Sequence, residues 1–497
     1  QKVHGWMAFS MESGFGPPLV PERDPKMDFW CFDPVIDLHI GELQHPDIRL
    51  RLLWVPDEIF SQMGALSDKL LPIKETADIG GLKLFKMDAR TAPDDLENGK
   101  TDSGVDFMVL LRKLFHQARK FGWACDGNIL HNKGRSTESK KSWFMRRDLT
   151  VQESATFCVS LEWDDRIRIY DAPLQVTDLL RRTILKQWPK GIQADKEFNS
   201  AWQFKLKGSP WNSDGRTKVE ARRLLCSLFE ALRANSWACG ASSDIISCCS
   251  SLFFYQTFDE APVDIFCLSL NGKDLIRLMS GHGPPPSSVV ESVREAIVLA
   301  WSRGIQSEDT INQSLQFKLK GTPWSCGGVD MINARKMMCH ILAGLRSAGW
   351  DIEACVQPTV KGSKMSCLYF RRAKEPIDVT KVSPSNIFSI SLMGESHVFC
   401  VNVPAAILLR LRWEMAQWIP GIKQERTVAE VLELELSGQP FASAFEDSKF
   451  ADAVGVRVFL CNLLDCLNKC NCRLLTSSCI SSRSHEHAAL FFEVLGE

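Results

Sequence analysis

The sequence predicts an α+β protein of four tandem ββαβαββ repeat units, each a small, mostly antiparallel sheet with two helices on one face. Three observations carry this. Phe204-Lys205-Leu206-Lys207-Gly208-Ser209-Pro210-Trp211 returns as Phe317-Lys318-Leu319-Lys320-Gly321-Thr322-Pro323-Trp324 with a single change. A Trp-x-x-Gly-Ile element precedes each copy, at Trp188–Ile192 and Trp301–Ile305, and occurs again at Trp418–Ile422. The interval from that Ile to a central strand residue is constant: Ile192 to Leu206, Ile305 to Leu319, Ile422 to Leu436 and, in a diverged first copy, Ile73 to Met87. Self-similarity at a fixed period is the signature of a repeat architecture.

Each unit opens on a hairpin. Phe266-Cys267-Leu268-Ser269-Leu270 alternates like a strand, Asn271-Gly272 is a favoured turn pair, and Leu275-Ile276-Arg277-Leu278 is the return strand. Phe157–Leu161 with Ile167–Ile169, and Phe388–Leu392 with Val398–Val401, repeat the pattern. A proline then announces the first helix, at Pro56, Pro173, Pro286 and Pro404. The strand holding the Lys-Gly motif follows.

The second helix carries an apolar stripe in register: Leu111, Leu225, Met338 and Leu460, then Leu114, Leu228, Ile341 and Leu463. It closes at Trp123, Trp237, Trp350 and Cys472, with Gly122, Gly349 and Asn471 just before, where a left-handed helix cap favours Gly or Asn. Two more strands end the unit, as in Ser366–Phe370 and Ala489–Val494. The predicted boundaries are an N-terminal extension at 1–26 and units at 27–150, 151–257, 258–374 and 375–497.

The chain has 497 residues, 59 Lys plus Arg against 60 Asp plus Glu, and 45% hydrophobic residues, which excludes disordered, collagenous and coiled-coil classes. A net charge of −1 argues against a general nucleic-acid or anionic-membrane binder. No apolar run reaches the roughly 18 residues that span a bilayer, and the first thirty residues lack a signal peptide's apolar core.

Eighteen cysteines are spread thinly, many inside apolar runs. Cys226, Cys339 and Cys461 share one column, Cys158 and Cys267 another whose third member is Ser389, and Cys125 and Cys239 a third. Small buried residues fit these columns, and unpaired thiols predict a reducing compartment, the cytoplasm with the nucleus as alternative. Cys466, Cys470, Cys472, Cys479, His485 and His487 are of zinc-ligand type, but their spacing matches no standard site and Cys472 occupies a core column, so no metal is predicted.

The candidate binding residues are Lys205, Lys207 and Trp211 with Lys318, Lys320 and Trp324. Strand alternation turns the lysines away from Phe204 and Leu206, and Arg216, Lys218, Arg222 and Arg223 follow at the next helix start. Such a rim suits a phosphoinositide, a nucleic acid or an acidic peptide. The tryptophans follow a Gly-x-Pro turn and are expected partly exposed at a loop tip.

No nucleophile paired with a His base, Walker loop or dinucleotide pattern appears, and the ten histidines share no repeat column. Gly281–Pro286, containing His282, reads as a loop insertion in the third unit. Repetition of fold without repetition of reactive groups predicts a non-enzymatic intracellular interaction scaffold with a protein partner and no cofactor. The alternatives are an anion-binding module using the middle units, and an enzyme with a single active site between units.

Overall fold

The structure, a computed structural model, describes residues 27–37, 47–67, 71, 73–79, 81–87, 102–133, 139–243, 250–258, 263–358, 365–374, 386–418, 421–437, 440–441, 450–483 and 486–495. The expected extension at 1–26 and His485 lie outside them.

The first unit holds β1 (Phe29–Asp37), β2 (Asp47–Leu53), α1 (Asp57–Ser67), β3 (Ile73–Ile79), β4 (Leu82–Met87), α2 (Asp102–Lys120), β5 (Trp123–Lys133) and β6 (Ser139–Arg147). The second holds β7 (Thr156–Glu162), β8 (Arg166–Tyr170), α3 (Leu174–Gln187), β9 (Ile192–Phe198), β10 (Ala201–Leu206), α4 (Gly215–Arg233), β11 (Trp237–Ser243) and β12 (Ser251–Gln256). The third holds β13 (Ile265–Asn271), β14 (Leu275–Ser280), α5 (Ser287–Ala300), β15 (Ile305–Ile311), β16 (Ser314–Leu319), α6 (Gly328–Ser347), β17 (Trp350–Val356) and β18 (Cys367–Arg372). The fourth holds β19 (Ile387–Met393), β20 (His397–Val401), α7 (Ala405–Met415), β21 (Ile422–Val428), β22 (Val431–Leu436), α8 (Phe450–Lys469), β23 (Cys472–Ser478) and β24 (Glu486–Val494).

Each unit is one six-stranded antiparallel sheet with the same order: third, fourth, second, first, sixth, fifth strand. Local chemistry sets the element ends. Pro173, Pro286 and Pro404 cap the first helices with φ near −57°, the proline region. Gly122, Ser236, Gly349 and Asn471 hold positive φ where the second helices stop, so the left-handed cap recurs in all four units. The third hairpin turns through three residues, Gly272 to Asp274, closing Asn271 on Leu275, rather than through a two-residue Asn-Gly turn.

The two helices of a unit cover one face of its sheet, and the other face is covered too. Every residue of β7 and of β13 is buried, which a sheet with one wet face does not allow. The cover comes from the preceding unit: α2 lies on β7 and β8, α4 on β13 and β14, and α6 on β19 and β20. The series then closes, because α8 of the fourth unit lies on β1 of the first. The edge strands β5, β11, β17 and β23 touch in the cyclic order β5-β11-β17-β23-β5, so the four units form a closed ring with these strands around its axis. At the opposite edges β9, β15 and β21 are largely exposed and carry charges such as Lys196, Glu308 and Arg426, which protect an unpaired edge from added strands. Among the described residues no helix is long and apolar enough to cross a membrane.

Candidate functional site

The glycine and tryptophan of the repeated Lys-Gly-x-Pro-Trp element are set by backbone geometry. Trp188 and Trp301, at the ends of α3 and α5, donate their indole N–H to the carbonyls of Lys207 and Lys320 at 3.1 and 3.0 Å. Gly208 and Gly321 have φ of +80° and +84°, and a Cβ there would lie 3.0 Å from Lys190 Nζ and Arg303 Cδ respectively. Trp211 and Trp324 are fully buried and donate to the carbonyls of Arg166 and Leu275 at 2.9 and 3.1 Å. This corrects the expected exposure of these two rings: the prolines turn the chain inward, and the indoles pin the hairpin turn rather than offering a stacking surface.

Lys207 and Lys320 are exposed, whereas Lys205 and Lys318 are half-buried, with Lys205 Nζ 3.8 Å from Asp165. The lysine pairs sit on β10 and β16 and the residues just after them, one pair in each sheet. Arg222 and Arg223 do not join them. Arg222 is 3% exposed and reaches Cys367 Sγ in the third unit at 3.0 Å, and Arg223 donates to the carbonyls of Gly281, Gly283 and Asn312.

Those contacts belong to a repeated device that the sequence reading missed. Arg222, Arg335 and Arg457 occupy one helix column, and each crosses to the back face of the next sheet: to Cys367, to Ser391 Oγ at 2.8 Å and to Ser142 Oγ at 3.2 Å. Eleven residues on, three helical turns along the same face, come Arg119, Arg233 and Arg346. Arg119 lies 3.5 Å above the Tyr255 ring, Arg233 pairs with Glu353 at 3.0 Å, and Arg346 pairs with Glu493 at 3.1 Å. Two serine clasps repeat as well. Ser250 N donates to Gln357 O while Gln357 N donates to Ser250 Oγ, and Ser366 and Cys479 exchange the same pair of bonds. The signal was present: arginine recurs in register at both helix positions.

A partly open pocket of about 240 Å³ lies among the inner strands and is lined by residues of all four units. Each inner strand has a bulge at the same place, between Cys125 and Gly127, Cys239 and Ala241, Ile352 and Ala354, and Leu474 and Thr476. The inserted residues are Asp126, Gly240, Glu353 and Leu475. Burial pushes the Asp126 carboxyl up, against the opposing pull of Arg146, whose Nε lies 2.8 Å away. Glu353 is held by Arg233 and accepts from Cys239 N at 3.0 Å.

The Cys125 and Cys239 thiols in the wall are poor nucleophiles. Burial pushes Cys125 up to about 12 and raises Cys239 further, and each donates back to a carbonyl across its own bulge. No histidine is among the described lining residues. Cys226, Cys339 and Cys461 are fully buried in the second helices. No group of three or more His, Cys, Asp or Glu side chains that fits a metal ion occurs among the described residues. His487, one of the six candidate ligands, instead has its Nε2 2.8 Å from the carbonyl of Gly394.

His282, in the 281–286 loop, lies beside two side chains of the second unit. Its Nε2 lies 3.2 Å from Glu230 Oε2, and its Nδ1 lies 2.8 Å from Gln187 Nε2, so the 281–286 loop latches the third unit onto α3 and α4 of the second. Burial raises Glu230 to about 7 and lowers His282.

A domain-family model matches the chain three times, over residues 155–254, 264–371 and 386–493, covering most of the second, third and fourth units. No curated protein and no solved structure matches the chain. With more than half of its length matched, as three successive copies of one domain, the chain belongs to the family that this repeated domain defines.

Proposed function

We propose that the protein is a non-enzymatic interaction scaffold that docks a protein partner on the outer helices of its ring. The observation that carries this reading is the outward face of α7, where Leu409 and Trp413, one helical turn apart, are 66% and 58% exposed. Neighbouring outer helices add Leu174 and Leu185 on α3, and Val298 and Leu299 on α5. Large apolar side chains grouped on helix faces are a recurrent feature of protein-binding surfaces. The repeated groups support the same reading by their use: the arginine columns hold one unit to the next, and burial keeps the Cys125 and Cys239 thiols protonated.

The anion-binding alternative retains the exposed Lys207 and Lys320, but loses Trp211, Trp324, Arg222 and Arg223 to the interior and to the contacts between units. The test is recovery of partners from the native source with the wild-type chain and with Leu409→Glu/Trp413→Glu. Loss of a defined partner from the variant, at unchanged melting temperature, supports the scaffold; an identical set of partners rejects this surface, and turnover of a substrate by the purified chain rejects the non-enzymatic reading.

A further inference from the structure

We propose that the seam between the second and third units binds one phosphate-type oxyanion, free or as the head of a small soluble monoester, between Lys218 of α4 and Arg277 of β14. Arg222 lies beneath them as the floor of the site. Lys218 stands one helical turn before Arg222, which donates to the Lys218 carbonyl at 3.2 Å and to Cys367 Sγ at 3.0 Å. Cys367 Sγ lies 3.2 Å from Ser269 Oγ, and Ser269 is directly opposite Arg277 on the sheet that α4 covers. In the next seam the same two positions are Met331 and Phe399, which belong to one apolar cluster. The repeat therefore sets Lys218 and Arg277 facing each other across the seam.

These three cations have no carboxylate. Among the described residues none of them forms an ion pair with Asp or Glu, and Cys367 supplies at most one negative charge, set against Arg222. Arg277 gives its Nε to Gln316 Oε1 at 2.8 Å. Its terminal nitrogens and Lys218 Nζ have no hydrogen-bond partner among the described residues, and none of these atoms is sealed from water. Burial lowers both Lys218 and Arg277 and Arg222 lowers both further, while Cys367 and Asp214 offset the shift of Lys218 only in part.

The neighbouring sheets do not carry this arrangement. In the second, Arg168 holds the Arg277 column and pairs with the buried Glu162 at 2.7 Å. In the third, Asn271 stands in place of that glutamate and donates to Ser269 instead. In the fourth, Met331 and Phe399 fill the seam with apolar surface, so its shape does not demand cations. Two uncompensated positive charges match a dianion, and a phosphate monoester carries a charge near −2 at neutral pH. Lysine and arginine both form strong charge-assisted bonds to phosphate oxygens. The half-buried setting between two units suits a small anion and is closed to a nucleic-acid backbone or a bilayer.

The experiment is calorimetric titration of the full chain, in phosphate-free buffer, with inorganic phosphate, with glycerol phosphate and with acetate as a singly charged comparator. Binding at one site per chain and a raised melting temperature are expected for a phosphate form. Tighter binding of inorganic phosphate identifies the free ion as ligand, and tighter binding of glycerol phosphate identifies a monoester. Lys218→Met/Arg277→Phe rebuilds the residues of the fourth unit and should weaken binding about a hundredfold, roughly tenfold for each charge-assisted bond lost. Lys218→Gln/Arg277→Gln decides the matter if melting shows that variant unfolded, and Lys207→Glu/Lys320→Glu on the exposed rim should bind as wild type does. Four results overturn the proposal: neither phosphate form binds at millimolar concentration, acetate binds as tightly, a folded seam variant binds as wild type does, or the rim variant loses binding as the seam variants do.

Discussion

The seam between the first and second units and the seam between the fourth and first solve one packing problem in opposite ways. In both, a long second helix lies on the back face of the next sheet. At the column that carries Arg457 in the fourth unit, the first unit has Met108, fully buried. Beneath Met108 the second sheet satisfies its own polar groups, with Ser160 Oγ and Ser251 Oγ 2.9 Å apart. Beneath Arg457 the first sheet presents Ser142, which accepts from the guanidinium. The shape of the seam therefore does not demand arginine. A charged bolt, once buried, does demand its partner, because an unpaired buried charge costs several kcal/mol whereas an apolar replacement of similar volume is often neutral.

That contrast predicts the largest effect. Arg457→Ala should destabilise the chain by about 2–5 kcal/mol in chemical denaturation, through the empty volume left in the seam. Arg457→Met with Ser142→Ala imitates the first seam and should recover most of the loss. The fourth and first units lie at opposite ends of the repeat series, so the alanine variant should also open the ring, measured as an increased radius of gyration by X-ray scattering. A stable, closed Arg457→Ala chain would show that this arginine column is incidental.

The seam between the second and third units has a feature no other described seam has, the 281–286 loop. A Cβ on Gly281 would lie 2.4 Å from Ser227 Oγ, 2.6 Å from Glu230 Oε2 and 3.1 Å from the Ser227 backbone nitrogen. The last contact is backbone and cannot swing aside. Gly281→Ala should cost about 1–3 kcal/mol, the range for overpacking, whereas a Cβ on Gly283 meets nothing within 4 Å and is opposed by its φ of +133° alone. Equal melting temperatures for wild type and Gly281→Ala would place the loop off the helix.

How much of this was legible in the sequence follows from the range of the interaction. Gly122, Gly349 and Asn471 announced helix caps because a cap is fixed by one residue's φ, and Pro173 announced a helix start for the same reason. The fourfold repeat was legible because local order repeats. The ring was not, since closure joins α8 to β1 across the whole chain. A trace of it was there: Phe157 to Leu161 is apolar or small at every position, the mark of a strand buried on both faces. The lysine motif combines two kinds of position. Gly208, Gly321, Trp211 and Trp324 answer to backbone constraints, positive φ and indole bonds to main-chain carbonyls, whereas a bond to a main-chain carbonyl places no demand on the Lys207 and Lys320 side chains. The cavity left only the Cys125 and Cys239 column as a repeated mark, because the residue inserted at each bulge differs between the units.

The latch at the same seam should show in the pH dependence of stability. Glu230 is raised from 4.5 to about 7 by burial first, with Asp264 adding to the shift and Arg223 opposing it. A carboxyl whose folded value is raised binds its proton more tightly when folded, so its contribution is complete below pH 4.5 and is lost as pH rises through about 7. His282 is lowered by burial first and then by Lys186 and Arg223, so it acts the other way, weakening the fold as pH falls below 6.5. The difference between Glu230→Gln and wild type should therefore grow in favour of the variant between pH 5 and 8, by on the order of 2 kcal/mol. A difference that stays flat across that window would mean that Glu230 titrates as an exposed carboxyl.

The smallest effect is expected where the rim replaces the seam. Lys207 and Lys320 are exposed, and Lys205 and Lys318 only half-buried, with Lys205 no closer than 3.8 Å to Asp165. Exposed charges contribute little to stability because water screens them and ordering a long side chain costs entropy. Reversing all four lysines to glutamate should leave the denaturation midpoint within about 0.5 kcal/mol of wild type per site, against the several expected at Arg457. The same quadruple variant, titrated with phosphoinositide vesicles, oligonucleotide and an acidic peptide beside the wild type, also tests the anion-binding alternative. Wild-type binding of one of these that falls with salt and disappears in the variant would return function to the rim. Equal behaviour of the two chains would leave the motif as the backbone device its tryptophans describe. A large loss of stability would break the comparison from the other side, because it would mean that these lysines hold the ring as the arginines do.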